Sequence, residues 1–233
     1  MKRISGFVFV VVTCLLMSAV GFAASPPGWA YGFESPAGGP PQPGPAPLSP
    51  DPALRHVEGS PLEFTRAQIS NGFGPADWFP GDHPAMPPIV KFGKQPDVRA
   101  CSLCHYPNGK GRAENAGVSG LPVSYFIQQM VDFREGNRQS SEPRKGNTKI
   151  MIAIAKGMTD KEIKDAAEYF GSMKWTPWIK VIESSTAPKT HINNGLYLKL
   201  EGGGTEPIGQ RIIEVPVNAE ATEILRNPRS SFE

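Results

Sequence analysis

Of the three cysteines in the 233-residue sequence, two, Cys101 and Cys104, fall in the string C-S-L-C-H that ends on His105. The third, Cys14, lies in an apolar amino-terminal run, so the remaining pair has to be explained together. Two thiols three positions apart reach the two vinyl groups of a single porphyrin, and a histidine directly after the second thiol is then held beneath the iron. The string therefore predicts one covalent haem c, with Cys101 and Cys104 forming the thioethers and His105 as the proximal iron ligand. A zinc site needs further ligands, and no second cysteine pair or Cys/His cluster is present in the sequence. A thioredoxin-like redox pair expects a βαβ setting, which the surrounding residues do not suggest.

A sixth ligand remains to be found, and a methionine would raise the reduction potential and leave an iron that exchanges electrons with little rearrangement. Beyond the apolar start the candidates are Met86, Met130, Met151, Met158 and Met173. Met130 and Met173 fall in helical patterns and read as core residues. Met151, in a loop-to-helix approach, is favoured by spacing over Met158, and both stay open on the residues alone. His83, in D-W-F-P-G-D-H-P, reads as a packed loop histidine, with replacement of methionine at the iron as the alternative. His56 and His191 sit in polar surroundings and are given no role.

Lys2 and Arg3 precede an almost wholly apolar stretch from Ile4 to Phe22, and Gly21 and Ala23 have the spacing a signal peptidase reads. The segment reads as a signal peptide cleaved after Ala23, with a retained amino-terminal anchor as the alternative. Either way the remainder is expected outside the bacterial inner membrane, in the periplasm. Losing Lys2 and Arg3 brings the formal charge of +2 to zero, which argues against a nucleic-acid partner. Glycine and proline number 25 each, and they crowd the stretch from Ser25 to Pro52, which favours extended polyproline-like coil over a packed core.

Periodicity marks the helices. Pro96 and Asp97 suit a short helical turn leading into Cys101. From Pro122 to just before Gly136, Tyr125, Phe126, Gln129, Met130 and Phe133 repeat at helical spacing. Thr159 and Glu162 form a capping box, Ile163, Ala166, Ala167 and Phe170 give one apolar face, and Gly171 supplies a stop. Between Leu54 and Phe92 prolines interrupt the apolar residues, so a loop-rich wrap with at most one short helix is expected. After Met173, Trp178 to Glu183, Leu196 to Glu201 and Gln210 to Val215 look like short strands. The run E-G-G-G-T-E-P-I-G, 201–209, lacks the Lys-Ser/Thr pair of a phosphate loop and reads as a flexible turn.

The stretches C-S-L-C-H-Y-P-N-G-K-G, G-L-P-V-S-Y-F-I-Q-Q-M-V-D-F-R-E-G-N-R and M-I-A-I-A-K-G-M-T-D-K-E-I-K-D-A-A-E-Y-F resemble a bacterial class I cytochrome c, in particular one half of the tandem di-haem cytochromes. The resemblance covers roughly Lys94 to Met173. It implies that the axial methionine, seven positions before the M/L-S/T-D helix start, is Met151, and that Met158 stands where a core leucine is usual. The carbonyl that orients the proximal histidine often belongs to a proline in P-x-L-A-G, and this chain has Ala116 there. The flanks D-W-F-P-G-D-H-P-A-M-P and E-G-G-G-T-E-P-I-G-Q-R-I-I-E-V-P resemble a two-haem subgroup that continues into a second C-x-x-C-H module. Since Glu233 is reached without one, the last segment is expected to be a linker to a missing second haem domain.

The expected architecture is mainly α: 1–23 signal peptide or anchor, 24–60 Pro/Gly-rich linker, 61–93 loop-rich wrap, 94–173 cytochrome c-like haem domain and 174–233 extended, strand-containing tail. Haem is expected to pack against Tyr125, Phe126, Phe133 and Phe170. The expected function is outer-sphere, single-electron transfer between redox protein partners (a dehydrogenase, an oxidase or another cytochrome) with no enzymatic activity of its own. Two rivals are a haem peroxidase-type enzyme with an open iron and a haem-bearing subunit of a dehydrogenase complex. Arg134, Arg138, Arg144, Lys145 and Lys149 form a basic cluster, read either as a solvated loop or as a docking rim for an acidic partner.

Overall fold

The computed structural model describes residues 51–140, 146–193 and 195–233. The segment 1–23 with Cys14, the proline-rich stretch up to residue 50, and Arg144 and Lys145 lie outside the described residues. Among the described residues, six α-helices and three two-stranded sheets follow one another, with the longer helices central and the strands on either side of them. No helix among the described residues is long and apolar enough to cross a membrane.

Strand β1 (Leu54–His56) pairs antiparallel with β2 (Glu63–Thr65), and Thr65 then caps α1 (Arg66–Ile69) in a box with Gln68. After a long loop, Pro87 and Pro88 open α2 (Pro88–Lys91). The wrap thus holds two short helices where one at most was expected, because Pro88 at the first helical position needs no N–H partner. Strand β1 starts seven residues before the boundary expected at 60–61. A small core forms here from Val57, Ile69, Trp78 and Phe79, with Phe64 edge-on to Trp78 at 4.8 Å.

Helix α3 (Cys101–His105) begins at Cys101 itself, because Lys94 and Val98 pair with each other across the Pro96–Asp97 turn. Helix α4 (Val123–Glu135) starts after Pro122 and stops at Gly136, whose φ of 81° lies in the left-handed region that glycine tolerates. Helix α6 (Asp160–Gly171) carries the expected capping box, with Glu162 N–H donating to Thr159 Oγ1 and Thr159 N–H to Glu162 Oε2. Ile163, Ala166, Ala167 and Phe170 are all buried along one face. Between them lies α5 (Asn147–Gly157), a helix the sequence pattern does not announce: Gly146 offers no side-chain cap, and the run M-I-A-I-A has no amphipathic alternation. Its order comes from packing. Ala155 is fully buried against α4, and Arg134 of α4 donates to the carbonyls of Ala155 (3.2 Å) and Met158 (3.0 Å) at the end of α5.

The main core gathers α2, α4, α5 and α6 around Phe170, which is 0% exposed; truncation of such a ring costs roughly 3–5 kcal/mol. Beyond it, β3 (Thr186–Pro188) pairs with β6 (Thr205–Pro207), and β4 (Thr190–Asn193) pairs with β5 (Leu196–Lys199). Of the three strands expected, only that starting at Leu196 forms. Trp178–Glu183 and Gln210–Val215 make only an isolated bridge or none, and the stretch read as a flexible turn contains β6, closed by Gly202 and Gly204 at positive φ. A single π-helical turn, Glu220–Ile224, follows.

The tail is packed, not extended. Phe232, 0% exposed, joins two backbone segments: its N–H donates to Trp178 O, its carbonyl accepts from Lys180, and Val215 and Glu233 exchange both bonds. Trp78 Nε1 donates to Leu225 O at 2.7 Å, Asn108 to Pro228 O at 2.9 Å, and Arg229 grips Asp82 with two bonds. Residues 225–229 therefore lie back against the wrap segment and the start of the helical domain.

Candidate functional site

Helix α3 is short, and its inward face is set by the two residues between the cysteines. Ser102 Oγ donates to Val90 O of α2 at 2.8 Å and Leu103 is 5% exposed, so both point inward. Positions i and i+3 share the other face, which leaves Cys101 and Cys104 side by side, half-buried and unpaired, with His105 following directly. Burial pushes the Cys101 thiol up to about 12 and raises Cys104 as well, against the pull of Arg226 and Arg112. Both rest as thiols at neutral pH.

His105 Nδ1 lies 2.7 Å from Ala116 O. A carbonyl only accepts, so Nδ1 carries the hydrogen and Nε2 is left as the free lone pair of a neutral imidazole. Burial lowers the histidine's pKa and the Ala116 carbonyl opposes this in part. Ala116 thus supplies the acceptor for which the family often uses proline. The loop that carries it is closed by Gly109, which accepts from Val118 and Ser119 and where a Cβ would come within 3.0 Å of Phe170. Phe170 stands edge-on to His105 at 6.4 Å and stacks on Phe126 at 6.0 Å.

Of the aromatic residues expected around the group, Phe133 and Phe170 are in the closed core, Phe126 is partly covered and Tyr125 is 48% exposed. Leu121, Phe126, Ile127, Met151 and Ile152 pack on the core with one side uncovered. Two thiols on one helix face, an imidazole with a free Nε2 and an apolar wall left half covered fit a flat apolar macrocycle with iron at its centre. Met151 is half-buried and sits within α5, not in the loop approaching it. Met158 is 5% exposed at the end of that helix, with its carbonyl taken by Arg134, and Met130 is buried on α4. His83 has both ring nitrogens engaged, Nε2 with Asp77 at 3.1 Å and Nδ1 with Pro84 O and Tyr169 Oη. It is a packed loop residue. His56 and His191 are exposed. Among the described residues no three His, Cys, Asp or Glu side chains converge to hold a metal ion.

Three features of the site carry no sequence signal. Arg112 and Glu114 form a buried ion pair at 3.1 Å, and Arg226 from the tail donates to Leu103 O at 2.9 Å, which brings a guanidinium from 123 residues away onto the cysteine helix. Asn147, at the start of α5, donates to Asn115 at 3.1 Å and so links the helix of Met151 to the loop of Ala116. The basic cluster divides. Arg134 is used internally, Arg138 donates to Gln129 and covers the Phe133 ring, and Lys149 is exposed.

Residues 90–174, which hold this constellation, match the cytochrome c family. The chain carries a class I c-type cytochrome domain that resembles one half of a two-domain di-haem protein. Cytochrome c4 of Azotobacter vinelandii is 38% identical over 84 residues, covering 35% of this chain and 38% of that protein. The cytochrome subunit of sulfide dehydrogenase from Chlorobaculum tepidum is 29% identical over 105 residues, covering 45% of this chain and 88% of that one. The crystal structure of reduced recombinant cytochrome c4 from Pseudomonas stutzeri gives a TM-score of 0.33 at 32% identity, over 37% of this chain and 45% of that one. The chain spans well under half the length of the cytochrome c4 proteins it matches.

Proposed function

We propose that this chain is a periplasmic electron carrier that holds one haem c through Cys101 and Cys104, with His105 as proximal and Met151 as distal iron ligand. The observation that carries the reading is His105, its Nδ1–H committed to Ala116 O and its Nε2 free, directly after two unpaired thiols on one helix face. When bound, the haem supplies a reversible one-electron Fe(III)/Fe(II) couple. The protein's own part is to hold the imidazole in one tautomer and orientation, to cover the ring with Phe126, Ile127 and Ile152, and to leave one edge open to partners. Export is supported by the segment at 1–23, cleaved or retained as an anchor. Residues 94–173 act as the haem domain, and the tail folds over it.

The partners are redox proteins: a dehydrogenase, an oxidase or another cytochrome. The likeness to a protein named as the cytochrome subunit of sulfide dehydrogenase supports a second reading, a haem-bearing subunit of a dehydrogenase complex, and that role uses the same electron-transfer site. Expression of the exported chain with haem-attachment machinery tests the proposal. One haem per chain, resistant to acid–acetone extraction, is the expected result. Extractable haem, or two haems per chain, refutes it.

A further inference from the structure

We infer that Trp178, from the tail, is a positioning residue for the proximal histidine: it holds the Ala116 carbonyl in register with His105 Nδ1. The inference rests on the haem reading above. The peptide unit joining Ala116 to Gly117 is planar, so the direction of the Ala116 carbonyl and the position of the Gly117 Cα are one variable. That unit is gripped from both sides. A Cβ on Gly117 would stand 2.6 Å from Trp178 Cη2 and 2.8 Å from Cζ2, so the indole edge lies directly on the glycine. On the other side, a Cβ on Gly111 would stand 2.6 Å from Ala116 O. The carbonyl has no room to swing toward Gly111, and Trp178 blocks the return.

Trp178 is itself fixed. Its carbonyl accepts from the fully buried Phe232 at 3.1 Å, and its ring lies 6.0 Å from that of Trp175. Asn115, the residue before Ala116, is tied to Asn147 of α5, so the loop is restrained on its remaining flank. The tail thereby reaches the iron's electronic environment through a single hydrogen bond. A carbonyl accepting from the distal nitrogen of a ligating histidine raises the basicity of the ligand. A more basic imidazole favours Fe(III), so loosening the carbonyl raises the reduction potential.

The experiment uses the full chain with haem attached, in wild type and in the variants Trp178→Ala, Trp178→Phe and Gly117→Ala. Two quantities are read: the midpoint potential, and the NMR position and exchange rate of the His105 Nδ1 proton in the reduced form. Trp178→Ala is expected to shift the Fe(III)/Fe(II) balance about tenfold toward Fe(II), about 59 mV upward for one electron, with faster exchange of the proton. Trp178→Phe, which keeps an aromatic edge, recovers part of both. Gly117→Ala drives a Cβ against the indole edge and so displaces the same peptide, moving both readouts with Trp178 itself retained. Unchanged potential and proton signal in Trp178→Ala overturn the inference, since a merely structural role would lower stability and leave both alone. If Trp178→Ala loses its haem, Gly117→Ala and Trp178→Phe decide on the same two readouts. A wild-type chain without covalent haem fails the functional reading instead.

Discussion

Replacement of Arg134 by alanine separates two roles for the basic cluster, a staple within the fold and a rim for a partner. The guanidinium donates through Nε to Ala155 O (3.2 Å), through Nη2 to Met158 O (3.0 Å) and through Nη1 to Asp160 (2.7 Å). The first two acceptors lie at the carboxyl end of α5, where carbonyls have no partner within the helix and a cation meets the negative end of the dipole. Hydrogen bonds from a charged donor contribute about 1.5–3 kcal/mol when buried, and a side chain 30% exposed keeps about 1 kcal/mol of each. Asp160 is 90% exposed, so that ion pair adds a few tenths of a kcal/mol at most. Arg134→Ala is therefore expected to lower stability by roughly 2–3 kcal/mol, or roughly 5–10 °C in Tm for a chain of this size. Arg134→Lys keeps the charge but only a point donor, and recovers about half of the loss. Chemical denaturation followed by far-ultraviolet circular dichroism measures it. A loss below about 0.5 kcal/mol, the range of ordinary surface changes, refutes the staple. Salt-dependent slowing of association with an acidic redox partner in Arg134→Ala, at unchanged stability, returns the residue to the rim.

The sixth ligand is tested by Met151→Ala, which should abolish the weak red charge-transfer band of the oxidised protein, lower its potential and open the iron to cyanide while the haem stays attached. Met158→Leu, a volume-conserving change at a buried position, should leave the band in place; loss of the band there and its survival in Met151→Ala reverses the assignment. His83 offers a pH signature. Burial pulls its pKa down, but Asp77, Pro84 O and Asp82 outweigh that, and the net shift is upward from 6.5. A raised folded-state value contributes stability that is fully present below 6.5 and is lost as pH rises through the folded value, so the Tm should fall across that window. Asp77→Asn should flatten the profile, and an unchanged profile refutes the coupling. Thr159→Ala removes one half of the capping box of α6 and should cost about 1 kcal/mol in urea unfolding; no loss would mean the helix is held by packing alone.

The helix that carries C-S-L-C-H, the face of α4 and the cap and face of α6 were legible in the sequence because each is written within a dozen residues. The tight spacing of Cys101, Cys104 and His105 is itself the geometry, and Thr159 and Glu162 meet across one helical turn. Helix α5 was not legible. Its residues carry no cap and no stripe, and its end is completed by Arg134 from another helix. Placing Met151 in a loop followed from the polar run before it, and the run ends one turn earlier than the reading allowed. The acceptor for His105 was legible as a position, Ala116, but what holds that carbonyl in place lies 62 residues further on, in Trp178.

The tail shows why distance in the chain hides structure without weakening it. Loop-closure entropy rises with the logarithm of length, about 0.6 kcal/mol for each doubling, so bringing Leu225 back to Trp78 costs only about 2 kcal/mol more than closing a loop of about ten residues. Against that modest term stand the complete burial of Phe232, about 1.5–3 kcal/mol for such a side chain, and the bond from Trp78 Nε1. The strands that carry the tail are only three or four residues long, too short for an alternating pattern to emerge, and the bonds that dock it are made by single side chains: Asn108, Arg226 and Arg229. Proline and glycine, which read as markers of extended coil, set the turns between these docking points. A composition that looks like a linker is therefore compatible with a strap, provided a few large side chains find closed sites. Phe232 does so, and its N–H holds the carbonyl of Trp178, whose half-buried ring lies on Gly117 in the loop that meets His105.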